Sequence, residues 1–429
     1  MFRIRVIIHS SQTNMRPVCE IHASLDLRIG YFPIPTYPTC QSPFSYCQTL
    51  EGSRTLHAME LLSLSPLFYF LIASLLTITG LKRRRQTRVL LLGPIWLFSL
   101  MALASSHRLA WMTGADSIFA SLVVFYLLYS PKTLVFDQHT VTPELNDAFG
   151  WSFVDCYRVW NNPRQLPLRL QHERKAPNTP SKSRVIFCLS RSIKAAGLWA
   201  FEYFIFQKVF VYALWPVTVS DFAPEMESAL FHRLSQHEIR VRSIISLQWI
   251  WRAYFFLEFH HSLLAIVFVG ILRFDSPGEW PPLFGSPLEA YTIRGFWGRF
   301  WHQLTVPTYV FYARLATRQM VQPGSLWGKV LTALLVFTIS GLSHSVVGWA
   351  LGDTALFRDI LFFEMCFLAA ASETVVSKIK MKQRSILGRT FSPLFRRVAG
   401  MVWVFVFFFC AVPTWVYPKT YHYLLNPEG

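Results

Sequence analysis

His344 places an imidazole inside an apolar run, "TISGLSHSVVGWALG" at 338–352. It lies about fifteen residues beyond Lys329, roughly 22 Å along a helix that rises 1.5 Å per residue. That is too deep for a side chain reaching back to an interface. Ionisable groups at such depth are costly and face a bundle interior or a water-filled cavity. Ser340, Gly341, Gly348 and Gly352 stand at i−4, i−3, i+4 and i+8 on the same side. A stripe of small residues lets another helix approach closely or leaves a channel open. Two roles suit the histidine. It can serve as a general base near neutral pH, or it can hydrogen-bond across helices as a structural group. Ser343 is a poor nucleophile for it, because adjacent helical residues diverge by about 100°. The run G-L-S-H-S also lacks the second glycine of a nucleophile elbow.

A second constellation is "RGFWGRFWHQL" at 294–304. Helical spacing puts Gly295, Arg299 and His302 on one face. Phe296, Trp297, Phe300, Trp301 and Leu304 cover the other. The pattern predicts an amphipathic helix with an aromatic belt at a membrane interface. Arg294 and Arg299 suit phosphate groups; anchoring to lipid is the alternative for the whole element.

Other titratable groups carry less. Glu258 and His261 share a face at i, i+3, as in carboxylate-bridged di-metal bundles, but such a site needs that motif twice. No second copy lies in a span, and no metal site is expected. No glycine-rich phosphate loop or paired-carboxylate motif supports nucleotide hydrolysis, hydride transfer or glycosyl transfer. The seven cysteines are scattered and form no C-x-x-C pair, which argues against a disulfide framework or a zinc site.

The elements that must hold these residues follow from composition. The chain has 429 residues, 52% of them hydrophobic and only 15% charged, against about 25% charged in soluble domains. The net charge of +17 does not indicate nucleic acid, because the basic residues lie between apolar runs and do not line one recognition element. The expected class is an all-α integral membrane protein with about eight transmembrane helices around a chamber. Spans of about 20 apolar residues are predicted near 61–81, 89–105, 114–130, 198–218, 246–272, 329–351, 357–377 and 398–417, and 301–315 is a further segment that dips into the membrane. Loop 131–197 holds ten Lys or Arg, 273–329 six and 378–397 seven. Together with "KRRRQTR" at 82–88 they fall on one side, which the positive-inside rule makes cytosolic. In loop 131–197, "NDAFGWSFVDCYRVWNNPRQLP" suits an interfacial helix or a solvated connection, and "ERKAPNTPSKSR" at 173–184 a polar linker. Residues 1–58 read as a poorly patterned extension, with Met59 opening the membrane domain 59–429 and standing as a candidate start.

Taken together and in this order, "FWGRFWHQ" and the "SGLSH" span some forty residues later resemble the wax-synthase-like branch of the membrane-bound O-acyltransferases, closest to fungal members. The resemblance covers roughly 280–420 well and the remainder loosely; "RVWNNPRQ" at 158–165 is a weak echo of a further motif. It implies a multi-helix fold around a catalytic chamber, with acyl-CoA as co-substrate and no permanently bound cofactor. The family's essential buried histidine maps onto His344. The polar second catalytic position maps onto His302, where plant-like members carry Asn, so this chain departs from them there. Arg294 and Arg299, with Trp297 and Trp301 beside them, are expected to hold the CoA end. Fungal relatives imply acetyl transfer from acetyl-CoA to a hydroxyl of a hydrophobic, terpenoid-like secondary metabolite admitted from the lipid bilayer, in a multi-pass protein of the endoplasmic reticulum. A long-chain wax-ester or sterol-ester synthase is the alternative within the family. A metabolite transporter and a membrane terpene cyclase are the alternatives outside it. A transporter would favour repeated halves, and a cyclase would use buried acids such as Glu258, Glu364 or Glu373.

Overall fold

The structure is a computed structural model that describes residues 63–110, 115–137, 153–166, 181–214, 216–227, 234–387 and 392–425. The extension 1–58, the candidate start Met59 and residues 173–180 of the predicted linker lie outside the described residues. Among the described residues every regular element is helical. The main helices are α1 (Ser65–Gly80), α2 (Arg85–Ala104), α3 (Asp116–Phe136), α4 (Phe153–Trp160), α5 (181–214), α6 (Gln236–Ile271), α7 (Val306–Met320), α8 (Leu326–Ala350), α9 (Phe357–Leu387) and α10 (Pro393–Leu425). Each of the eight predicted spans overlaps a helix, and the predicted dip at 301–315 overlaps α7.

Six of these helices are long and apolar enough to cross a membrane: α2, α3, α6, α8, the Phe357–Lys378 part of α9, and α10. The other two predicted spans fall short for separate reasons. The 16 residues of α1 extend about 24 Å, less than the roughly 30 Å hydrocarbon core. In α5, the part of the helix that overlaps the predicted span 198–218 carries Glu202, Gln207 and Lys208 and ends at Leu214. Residues 181–184, predicted as linker, already belong to this helix. Outward faces are apolar: Leu90 is 76% exposed and Ile193 64%. In water such faces would be a liability, whereas lipid is a good solvent for them.

Helix boundaries follow from capping residues. The Ser235 hydroxyl accepts from the Glu238 N–H at the start of α6 while Glu238 accepts from the Ser235 N–H at 2.6 Å, a reciprocal capping box. The Ser325 hydroxyl accepts from the Gly328 N–H at 3.0 Å and opens α8. Helix α8 then lies tightly along α9. A Cβ at Gly341 would stand 2.8 Å from the Ile360 Cα, and one at Gly348 would stand 3.1 Å from the Asp353 carboxylate. Gly352 has φ +85° and ends the helix in the left-handed conformation. The stripe read as either a packing face or a channel is therefore a packing face at Gly341 and Gly348.

The core is aromatic. Trp249 of α6 stacks on Trp301 at 5.2 Å and meets Trp415 of α10 at 5.6 Å. Phe362 of α9 stacks on Trp415 at 4.3 Å, and Phe296 packs on Phe408 at 4.6 Å. Offset and edge-to-face rings fix relative orientation as well as area. This cluster joins α6, α9, α10 and the 283–305 connection into one wall.

Helix α4 is not an interfacial helix. Asp155, Cys156, Tyr157, Arg158 and Val159 are all buried. Arg158 pairs with Glu279 and lies 3.7 Å from Asp275, while the Tyr157 hydroxyl and the Trp280 indole both donate to Asp275. Paired charges turned inward pin the 275–281 connection to α4, which a headgroup-facing helix would not do.

Candidate active site

The helices enclose a cavity of about 1930 Å³ bordered by α3, α6, α7, α8, α9, the 283–305 connection and Trp415. His344 stands on its wall with Ser340, Ser343 and Val347, one face of α8 by helical spacing. The imidazole stacks on Phe363 at 5.0 Å and meets Trp415 edge-on at 5.8 Å. Trp415 is itself held, its indole N–H donating to Asp359 at 2.7 Å. Asp359 is fully buried and bonded to Lys419 at 2.9 Å, which reaches Asp353 at 2.8 Å. A satisfied buried charge network behind the ring gives it a rigid backing.

His302 arrives by a different route. Thr292 caps a short turn, its hydroxyl accepting from the Gly295 N–H at 2.8 Å. The chain then makes one π-helical turn, Phe296–Phe300, closed by Trp301 N–H donating to the Phe296 carbonyl at 2.7 Å. At Trp301 it leaves the helix (φ −65°, ψ 154°). The Gly285 N–H donates to the Phe300 carbonyl at 2.9 Å and fixes that exit. His302, just beyond, borders the cavity with its ring edge-on to Phe284 at 5.8 Å. Its Nδ1 is buried with no hydrogen-bond partner among the described residues. Burial, then the nearby His344 and Arg164, push the His302 pKa down to about 4, so the ring is neutral at pH 7.

The predicted amphipathic interface helix at 294–304 is thus corrected. A π turn advances differently from 3.6 residues per turn, and the chain stops being helical before His302. Phe296, Phe300 and Trp301 are 2%, 6% and 8% exposed; they pack on α6 and α10 instead of forming a lipid belt. Trp297 and Trp301 border the cavity, as does Arg294. Arg299 does not: its exposed guanidinium pairs with Glu289 at 2.8 Å.

The remaining singled-out residues have settled partners. The Ser343 hydroxyl donates to the Ile339 carbonyl at 2.8 Å and accepts from the Tyr309 hydroxyl at 3.0 Å. The Ser345 hydroxyl bonds the Leu356 carbonyl at 2.7 Å, on α9 side of the helix contact. Glu258 is fully buried, pairs with Lys194, lies 3.7 Å from Arg191 and accepts from the Leu283 N–H at 3.3 Å. No cluster of three His, Cys, Asp or Glu side chains suited to a metal occurs among the described residues.

Sequence reasoning gave no structural role at the site to Arg164, Asn162 or Glu373. Arg164 follows α4 in the "RVWNNPRQ" stretch and borders the cavity; its guanidinium donates to the Pro281 carbonyl at 3.0 Å. Asn162 ties the same loop by accepting from Leu166 N–H at 2.9 Å and donating to its carbonyl at 2.8 Å. Glu373 accepts from the Ile293 N–H at 2.6 Å, the Arg294 N–H at 3.1 Å and the Trp403 indole at 2.7 Å. It is a helix N-terminal cap supplied from 80 residues away, and it seats the turn that leads to His302. Glu373→Ala is expected to cost about 1–2 kcal/mol, the scale of a lost cap. Thermal denaturation of detergent-purified protein checks it, and an unchanged midpoint would refute the anchoring role.

A histidine-lined chamber in a multi-span helical bundle is the class that fold and site define. Residues 280–369, which hold His302 and His344, match the Membrane bound O-acyl transferase family, and the chain is related to that family over this stretch. Among curated proteins it is 29% identical over 203 residues to Acetyltransferase nanB of Aspergillus nanangensis, covering 46% of this chain and 47% of that protein. It is 28% identical over 204 residues to Acetyltransferase spyB of Aspergillus fumigatus (43% and 34%), and 30% identical over 199 residues to Acetyltransferase aurG of Calcarisporium arbuscula (43% and 45%). The chain spans about a third to a half of the length of these relatives. No solved structure matches. The resemblance read from "FWGRFWHQ" and "SGLSH" is borne out.

Proposed function

We propose that the protein is a membrane-bound O-acyltransferase that moves an acetyl group from acetyl-CoA to a hydroxyl of a hydrophobic small molecule. The observation that carries the reading is the meeting of His344 and His302, from separate elements, on one largely apolar cavity. His344 takes the proton of the acceptor hydroxyl as its oxygen attacks the thioester carbonyl carbon. The tetrahedral intermediate then collapses, breaking the carbon–sulfur bond, and His344 returns the proton to the departing thiolate. No acyl-enzyme is needed, which agrees with Ser343 being occupied by Ile339 and Tyr309. His302, neutral at pH 7, donates a hydrogen bond to the developing oxyanion. The relatives named acetyltransferase support the acetyl donor, and the apolar lining supports an acceptor that enters from the bilayer of an internal membrane such as the endoplasmic reticulum.

A cavity of about 1930 Å³ exceeds the usual range of small-ligand pockets, about 300–1,000 Å³. That size supports long-chain ester synthesis as the second reading. A cyclase fits less well, because Glu258, Glu364 and Glu373 do not border the cavity, and Glu258 and Glu373 accept from cations and N–H groups elsewhere.

Microsomes containing the protein, incubated with labelled acetyl-CoA and a panel of hydrophobic alcohols, test the reading. Labelled ester supports it. Ester formed only from palmitoyl-CoA selects the long-chain alternative, and no ester from either donor refutes acyl transfer. In the same assay His302→Ala is expected to lower turnover about 10²–10³-fold, the scale of a lost oxyanion donor. Equal losses of rate and membrane abundance would instead make His302 structural.

A further inference from the structure

Gln303 closes the motif "FWGRFWHQ" and has no part in the chemistry proposed for His344 and His302. It borders the cavity directly after His302. Its side chain nevertheless turns back on its own segment. The Gln303 Nε2 donates to the Trp301 carbonyl at 2.9 Å and, at the longer distance of 3.4 Å, to the Trp297 carbonyl. These contacts commit the donor end of the amide to the backbone and leave its oxygen, which only accepts, on the other side.

The Trp297 carbonyl is the one that a longer turn would need. In the π turn Phe296–Phe300 an N–H reaches back five residues, as the Trp301 N–H does to the Phe296 carbonyl. One residue further, the same pattern would pair the His302 N–H with the Trp297 carbonyl. The Gln303 amide donates to that carbonyl instead. The Phe300 carbonyl is taken by the Gly285 N–H at 2.9 Å, and the Trp301 carbonyl by Gln303. Phe300 and Trp301 are buried, so water is a poor substitute for these donors, and a buried carbonyl without a partner is costly. Gly285 thus closes the turn from outside, and Gln303 closes it from within. Together they let the backbone go extended at Trp301, with ψ 154°, while these carbonyls stay paired.

We propose that Gln303 is a positioning residue for His302. Its side-chain amide stands in for the His302 N–H at the Trp297 carbonyl, stops the π turn after one round and so delivers the imidazole to the cavity wall. The proposal rests on the acyl-transfer reading of His302, and it requires no contact between Gln303 and either substrate.

The test uses Gln303→Leu, which is similar in size and bonds neither carbonyl, and Gln303→Glu, which keeps the oxygen but has no donor when ionised. Each is expected to lower kcat about 10–100-fold, because a displacement of about 1 Å costs on the order of 10²-fold. The donor and acceptor KM should stay within about twofold of wild type. The decisive comparison repeats both substitutions in the His302→Ala background. There they should change kcat by less than about twofold, since no ring is left to aim and residues that act as a unit are not additive. Equal losses in the two backgrounds would overturn the proposal. A raised KM with normal kcat would overturn it as well, by making Gln303 a substrate contact. Wild-type kcat in the Glu variant would show that the oxygen is the working group and not the N–H. If only one variant accumulates in the membrane, its two backgrounds decide; if neither does, Gln303 is a folding residue and the assignment falls. If the wild-type protein transfers no acyl group, the reaction assignment fails on its own, and the positioning claim is read from cryo-EM density of Gln303→Leu. A turn that continues through His302 supports it, and residues 301–304 superposing on the wild type refute it.

Discussion

His344→Ala is expected to abolish ester formation while the protein accumulates in the membrane at wild-type levels. The two halves of this expectation have separate grounds. The ring borders an existing cavity, so truncation enlarges a space already present and creates no new sealed void of the kind that destabilises cores by about 2–5 kcal/mol. The helix contact nearby runs through Gly341 and Ser345, not through the imidazole. Catalytically the loss is severe. A positioned general base contributes roughly 10²–10⁴-fold, and the aromatic backing of Phe363 and Trp415 offers no titratable side chain to replace it. His344→Gln fills the same space and bonds without accepting a proton at neutral pH, so it should be equally inactive. The assay is labelled acetyl transfer in microsomes, normalised to protein by immunoblot and to fold by the elution profile in detergent. Turnover within tenfold of wild type in either variant would remove His344 from the mechanism. Parallel loss of abundance in both would make it a structural residue.

The long periodic features were legible in the sequence. Each predicted span overlaps a helix, because runs of apolar residues constrain only their own neighbourhood. The place of His344 on the cavity wall was legible for the same reason: an imidazole within a continuous apolar helix has few places to go. What the helical wheel misplaced is the 294–304 segment. Its residue types suit an amphipathic helix, yet the backbone makes a π turn and leaves the helix at Trp301. That choice is imposed from outside the segment, by Glu373 on α9 and Gly285 before it. Local periodicity carries no record of partners 15 or 80 residues distant. Arg299 followed the same error, since a straight helix would have aligned it with His302. Arg164 and the Asn162 loop were visible only as a weak motif, because their role depends on Pro281 and the cavity wall coming together across more than a hundred residues. The glycine stripe was readable as small but not as packing or channel. Only the 2.8 Å approach of Ile360 decides between them.

Gly285→Val is expected to destroy activity nearly as completely as loss of the histidine, without touching either ring. A Cβ at position 285 would stand 2.0 Å from the Arg299 carbonyl oxygen and 3.1 Å from its carbon. Both are backbone atoms, so no side chain can swing aside. The bond from Gly285 N–H to the Phe300 carbonyl, 2.9 Å long, must open to admit the branch. That bond fixes where the π turn ends and therefore the direction in which Trp301 and His302 leave it. Overpacking of this kind costs about 1–3 kcal/mol, which a helical bundle with this much buried aromatic contact should survive. Catalysis is less forgiving, because a displacement of about 1 Å from a productive geometry costs on the order of 10²-fold. Gly285→Ala demands the same opening and should show the same direction with a smaller loss. Gly298→Ala in the same segment is the control, because a Cβ there meets nothing within 4 Å and turnover should stay within a few-fold of wild type. Acetyl transfer per unit of folded protein, measured for all three, distinguishes backbone placement of His302 from a general intolerance of the segment. Full activity in Gly285→Val would show that the Gly285–Phe300 closure does not aim His302.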